Sequence, residues 1–423
     1  MDQPARLTPP LSSAIPGVPA AAAVPRSGLL TGAGWVTAAM TAANLLGYAL
    51  NLLASRRLGP SDFGVVAALL GVVVVANVAA LAVQAVVARR VSSGESSHRV
   101  LGLAVRTAVV VGVVSLAAIP AMVLLLHLRT PAAAVWTVLV IAPLILIGAQ
   151  LGVLQGREQF GRLSVGYVVA AAGKVGGGLV GLALVPSPSG VMAGTAIGAI
   201  VAWLGLIPLV TRPETSVPHD ATGLSAGAEV LRAGQALFAF FLMTNLDLLV
   251  ARHYLRAHEA GLYAVGAVVS KGAFWLPSAV PVLLLPKLVD RHRRAAGLRT
   301  GLLAVAAAGT IATGVCAAAG RLVIALVGGS AYDALAGTVW LFALCGSLFA
   351  VAQLLLYSRL ARADHAASLV LWTVLGAYLL AVVVTRPDSP LELVLVAMSA
   401  AGALVAAGFA VEATRGARDG ESA

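Results

Sequence analysis

Charge is scarce in this chain. Of its 423 residues only 11% are Asp, Glu, Lys or Arg while 60% are hydrophobic, too little polar surface for a soluble globule of that length. That scarcity excludes water as the main solvent. Cysteine is scarcer still: Cys316 and Cys345 are the only two, and both sit inside apolar segments. A disulfide framework and a cysteine metal site are thereby excluded, leaving small packing residues as their role. Carboxylates are almost missing from the hydrophobic runs, where Asp247 alone lies well inside one, so paired-acid chemistry has no basis. His98, His127, His219, His253, His258, His292 and His365 all fall in loops or at helix ends. The glycine run Gly176-Gly177-Gly178 lies in a hydrophobic segment without the strand-turn-helix setting of a phosphate loop, so neither direct ATP use nor any other cofactor is expected. The formal charge of +11 is scattered through short loops and forms no basic face interleaved with aromatics, so nucleic acid is not an expected partner. These absences point away from an enzyme.

What the chain does have is long hydrophobic runs. A bilayer core roughly 30 Å thick is crossed by about 20 helical residues, and lipid offers backbone polar groups no outside partner, so the spans are helices. Charges, prolines and Gly/Ser clusters divide the sequence into candidate spans near 33–55, 63–88, 101–126, 132–154, 163–185, 190–210, 228–251, 260–286, 300–326, 335–358, 366–385 and 390–411. The expected fold class is therefore all-α and polytopic, with about twelve transmembrane helices. Basic residues concentrate in one set of connections, with Arg89, Arg90, Arg99, Arg157, Arg162, Arg291, Arg293 and Arg294 among them; the other set holds mainly Arg56, Arg57, Arg129, Arg252 and Arg256. The positive-inside rule then places both termini in the cytoplasm.

Five stretches follow from this reading: a disordered cytoplasmic tail over 1–30, a six-helix bundle over 31–212, a cytoplasmic linker over 213–227, a second six-helix bundle over 228–412 and a tail over 413–423. The prolines at 9, 10, 16, 19 and 25 interrupt any signal-peptide core in the first stretch. Internal similarity supports the duplication. Leu52-Leu53-Ala54-Ser55-Arg56 through Asp62-Phe63-Gly64 matches Leu249-Val250-Ala251-Arg252 through Glu259-Ala260-Gly261. Two such units in one orientation are related by an axis along the membrane normal, which puts a substrate path between them.

Several short motifs carry a family likeness. Arg57-Leu58-Gly59-Pro60-Ser61-Asp62-Phe63-Gly64, Asn245-Leu246-Asp247-Leu248, Ala260-Gly261-Leu262-Tyr263, Leu276-Pro277-Ser278-Ala279 and Leu285-Pro286-Lys287 resemble the polysaccharide (oligosaccharide-lipid) flippases. These belong to the superfamily of the multidrug and toxic-compound extrusion (MATE) transporters. The resemblance implies two six-helix bundles around a V-shaped cavity that alternates between the two faces of the cytoplasmic membrane. It implies a polyprenyl-pyrophosphate-linked anionic oligosaccharide as cargo, moved to the outer leaflet for surface polysaccharide biosynthesis. Membrane lipids, a polysaccharide polymerase and glycosyltransferases of the same pathway are the implied partners. A cation-coupled multidrug exporter on the same fold is the alternative, although the first span offers Asn44 and Asn51 where such exporters often carry an acid. A polymerase-type glycosyltransferase fits less well, because the outer loops are short.

The polar residues inside the spans are the candidate substrate-binding or coupling residues. A charge at the bilayer centre costs about 2.5–3.5 kcal/mol on insertion scales, so each one needs a reason. Lys174 and Lys271 are expected at mid-membrane, where a compact ammonium with three donors suits a phosphate that must later be released. Asp247 could pair with Lys271, hold a proton or orient the Arg252 turn. Arg106 and Arg232 lie near inner ends, where snorkelling explains them, and Arg232 is kept as a candidate. Asn44, Tyr48 and Asn51 share one helix face, as do Asn77 and Gln84; both sets could meet sugar hydroxyls or join helices by hydrogen bonds. Gln150, Gln155, Gln235, Asn245 and Gln353 share that ambiguity. Gly173, Gly177 and Gly181 leave one helix face bare for a neighbouring backbone, and Pro277 with Pro281 should kink the eighth span.

Overall fold

The computed structural model of the protein describes residues 26–211, 226–277, 294–360 and 365–421. Among these residues there is no strand. The helices are α1 (Arg26–Arg57), α2 (Pro60–Ser92), α3 (Ser97–Ala117), α4 (Ile119–Leu125), α5 (Ala132–Gly156), α6 (Phe160–Leu184) and α7 (Pro188–Val210). They continue as α8 (Ala226–Tyr254), α9 (Ala257–Trp275), α10 (Arg294–Ala318), α11 (Gly320–Val327), α12 (Val339–Leu360), α13 (His365–Thr385) and α14 (Pro390–Glu421), with a 3-10 turn over Ser330–Leu335. Eleven of the described helices are long and apolar enough to cross a membrane, and the chain is a multi-pass membrane protein.

Local chemistry sets the helix starts. Pro60 opens α2 at a position whose N–H needs no partner, with Asp62 in the first turn against the positive end of the helix. Ser187 caps α7, its hydroxyl accepting the Gly190 N–H at 3.1 Å. Glu259 closes the first turn of α9 by accepting the Arg256 N–H at 3.3 Å.

Three expectations change. Spans 101–126 and 300–326 are each broken in two, at Ala118 just ahead of Pro120 and at Ala319 just ahead of Gly320. Pro277 does not kink the middle of a described helix, because α9 ends at Trp275; Pro281 lies outside the described residues. Leu276 still has helical backbone angles and donates its N–H to the Gly272 carbonyl at 3.0 Å, and Pro277, which has no N–H, cannot continue the ladder. The end stretches differ too: α1 begins at Arg26, inside the expected tail, and α14 continues to Glu421. Most of the expected linker 213–227 lies outside the described residues.

Counting each broken span once, the described helices form two bundles of six. In the first, α2 packs on α5, α5 on α7, α6 on α7 and α1 on α6; in the second, α9 packs on α12, α12 on α14, α13 on α14 and α8 on α13. These are the same neighbours, helix for helix, and the broken third spans take equivalent places. The bundles meet where α2 crosses α8 and α9. At the end of this seam a Cβ on Gly64 would lie 3.0 Å from the Gly261 nitrogen, and one on Gly261 would run into the Pro60 carbonyl. Only glycine permits that backbone approach.

Small residues hold the first bundle together. Gly173, Gly177 and Gly181 of α6 face Gly198, Gly194 and Gly190 of α7, so the bare face meets a second bare face. Gly148, Gly152 and Gly156 of α5 lie in the same way against the carbonyls of Ala80, Gln84 and Ala88 of α2.

Candidate functional site

A cavity of about 390 Å³ lies between the bundles, walled by α1, α2, α5 and α6 on one side and by α8, α9 and α12 on the other. Seven of the eight candidate residues line it: Asn44, Asn51, Asn77, Gln84, Lys174, Asp247 and Lys271. The eighth, Arg232, falls where side chains are not described. The helices explain the convergence, since α6 packs on α1 and presents Lys174 beside the Asn44, Tyr48 and Asn51 face, while α8 and α9 carry Asp247 and Lys271.

The wall of the second bundle is internally bonded. Lys271 donates from Nζ to Asn245 Oδ1 at 2.8 Å, and Asn245 donates from Nδ2 to the Phe241 carbonyl at 2.9 Å. Asp247 accepts the Tyr263 hydroxyl at 3.1 Å on one oxygen and the Leu248 N–H at 2.9 Å on the other. No direct ion pair joins Asp247 and Lys271: each is held by a neutral neighbour while sharing the cavity. Tyr378 lies near the same cluster with a buried hydroxyl that lacks a partner among the described residues.

The opposite wall is divided. Gln84 donates from Nε2 to Gln155 Oε1 at 2.9 Å and to the Tyr167 hydroxyl at 2.7 Å, which ties α2, α5 and α6 together. Its interhelical role is thus visible. Asn51 donates to its own helix at the Gly47 carbonyl, 3.0 Å away. Lys174, Asn44 and Asn77 make no side-chain hydrogen bond or ion pair among the described residues, and the Tyr48 hydroxyl is buried without a partner. Unmatched donors therefore gather on one side of the cavity.

Among the described residues, Lys174, Lys271 and Asp247 are the only charged ones in the lining, and their formal balance is positive. Phe241, Phe274, Trp275 and Phe349 supply aromatic surface beside them. Among the described residues no cluster of three His, Cys, Asp or Glu could hold a metal ion. Sequence reasoning missed Tyr167 and Tyr263 as site residues. Each was in reach of helical periodicity, as Tyr167 lies two turns before Lys174 and Tyr263 lies eight residues before Lys271.

The sequence matches no known family pattern and no curated protein. Solved structures do resemble the fold. The inward-facing conformation of a multidrug resistance MATE family transporter of the MOP superfamily matches with a TM-score of 0.65, 12% identity, and coverage of 88% of this chain and 95% of that one. An outward-facing conformation of such a transporter matches with a TM-score of 0.56 at 10% identity, over 91% and 95% of the two chains. A MOP superfamily transporter from Pyrococcus furiosus Vc1, described by a binding pocket of reversed polarity that suggests a different function, matches with a TM-score of 0.54 at 12% identity, over 88% and 92%. At such identities the likeness shows the fold, which is MATE-like.

Proposed function

We propose that the protein is an alternating-access exporter whose cargo is a lipid-linked oligosaccharide with an anionic diphosphate, moved outward across the cytoplasmic membrane. The observation that carries this reading is Lys174: an ammonium within the membrane-spanning part of the fold, facing a cavity and without a partner among the described residues. An uncompensated cation there costs free energy unless a ligand supplies the counter-charge. Lys271 adds positive field but is already bonded to Asn245, so Lys174 is the first contact for a phosphate oxygen. Asn44, Asn77 and Tyr48 offer polar groups for the first sugar, and about 390 Å³ suits a headgroup rather than a whole oligosaccharide. Glycosyltransferases would supply this cargo and a polymerase would receive it. No step of this reading consumes a cofactor.

Asp247 beside aromatic surface favours one second reading, export of an organic cation coupled to an ion gradient. Proteoliposomes separate the two. Wild-type protein should move a polyprenyl-diphosphate sugar between leaflets, and Lys174→Gln should stop this without loss of folded protein. Wild-type activity toward organic cations under an ion gradient, with no movement of the lipid-linked sugar, would favour the second reading.

A further inference from the structure

The motif repeated in the two halves, from the end of α1 to Gly64 and from the end of α8 to Gly261, lies at the seam and not in the cavity wall. Both copies face the end of a broken third span. In the second bundle, α11 ends with the Gly328 and Gly329 N–H groups both bonded to the Ile324 carbonyl, which leaves the carbonyls of Ala325, Leu326 and Val327 for other donors. The first bundle supplies them. Ser55 Oγ donates to Val327 at 2.7 Å, and Arg56 donates to Leu326 at 2.6 Å and to Ala325 at 3.3 Å. Tyr332, buried against Phe63 with ring centroids 6.4 Å apart, returns a hydrogen bond to the Ser55 carbonyl at 3.2 Å.

The reciprocal contact exists. At the end of α4, Arg252 donates to the His127 carbonyl at 3.3 Å, and His253 Nδ1 lies 3.0 Å from the Leu125 carbonyl. Counted from the seam glycines, Ser55 and Arg252 both stand nine residues before, and Arg56 and His253 eight before. The equivalence extends to the acceptors, since in each bundle the first residue of the pair bonds to the later carbonyl and the second to the earlier. A cation at a helix C-terminus is also favoured by the helix dipole. What a C-cap does within one chain segment is here done across the bundle interface, twice.

We propose that these two reciprocal caps are the gate that closes the cavity at the end carrying the α1–α2 and α8–α9 turns. This is the outer end in the orientation expected from the basic residues. The third spans are broken so that α4 and α11 can offer free carbonyls across the seam, and the cavity opens at this end only when both caps let go. The corners are unequal. Arg56 makes two bonds, one of them the shortest of either corner at 2.6 Å, whereas Arg252 makes one at 3.3 Å and its Nε is buried without a partner among the described residues, so the Arg56 corner carries more of the closure.

The test needs no cargo. In full-length protein with Cys316 and Cys345 replaced by Ser, a single cysteine is placed in the cavity as Ala170→Cys and labelled in intact cells with a membrane-impermeant maleimide. Arg56→Ala should raise the labelling rate roughly tenfold, the factor expected from losing about one charged hydrogen bond, with a smaller rise for Arg252→Ala and a larger one for both. Arg56→Lys should stay near the parent rate. Labelling of the double variant at the parent rate would overturn the proposal. If the double variant does not accumulate, a disulfide between Ser55→Cys and Val327→Cys replaces it. Oxidation should then abolish labelling and reduction should restore it, whereas labelling that persists in the cross-linked chain overturns the gate. Neither outcome depends on what the cavity carries.

Discussion

Two adjacent glycines on α6 should respond to the same substitution with opposite sign. Nothing lies within 4 Å of a Cβ built on Gly176, whereas one on Gly177 would run into the Gly194 carbonyl and lie 2.9 Å from the Gly198 Cα. Alanine is favoured over glycine in a helix interior by about 0.8–1 kcal/mol. Gly176→Ala should therefore be neutral or stabilising by up to about 1 kcal/mol. At Gly177 the same gain is opposed by overpacking against backbone, which cannot swing away as a side-chain tip would. Relieving the contact requires α6 and α7 to separate by several tenths of an ångström or more, at a cost of about 1–3 kcal/mol, and Gly177→Ala should be destabilising. Neighbouring rungs repeat the situation, since a Cβ on Gly173 would lie 2.6 Å from the Gly198 carbonyl. The assay is reversible unfolding of purified protein in a fixed lipid–detergent mixture, comparing both variants with the parent. If the two variants agree to within about 0.5 kcal/mol, the glycine ladder is not a close backbone contact and the argument for it fails.

Three further outcomes are expected. Lys174→Gln should weaken retention of a polyprenyl diphosphate by the purified protein at least tenfold more than Lys271→Gln does, because only Lys271 already has an acceptor; equal losses in a binding titration would contradict that division. Asp247→Asn and Tyr263→Phe should be coupled by about 1 kcal/mol or more in a double-mutant unfolding cycle, given the 3.1 Å bond between them, and additivity would show the bond to be inconsequential. Ser187→Ala should cost about 0.5–2 kcal/mol through loss of the α7 cap, measured by the same unfolding, and Ser187→Asn should recover most of it.

Hydropathy was enough to place most of the spans, because backbone hydrogen bonding in lipid leaves the chain little choice but helix. It did not reveal the breaks at Ala118 and Ala319: apolar residues dominate on both sides of each, a single Pro120 or Gly320 beside the break does not by itself end a span, and where α4 and α11 dock is a tertiary matter. The gathering of Lys174, Asp247 and Lys271 with the asparagines was legible from the cost of burying each polar group. Their bonding was not. Asp247 and Lys271 are opposite charges on neighbouring helices, and nothing in the sequence tells that each takes a neutral partner first. Gly173, Gly177 and Gly181 announced a close neighbour, while the matching spacing of Gly190, Gly194 and Gly198, which identifies that neighbour as α7, needed only the same count along the next helix.

The paired glycine faces of α6 and α7 also bear on how the chain is made. The two helices are consecutive, joined by three residues over 185–187, and their contact needs no partner from elsewhere in the sequence. A hairpin of this kind can dock as soon as its second arm has entered the bilayer, ahead of the second bundle's synthesis. Lys174 would then meet the membrane on a helix already supported along one side, and later helices would assemble around it. Lys174, a costly residue in lipid, is thus carried by a hairpin whose two arms can pack on each other early.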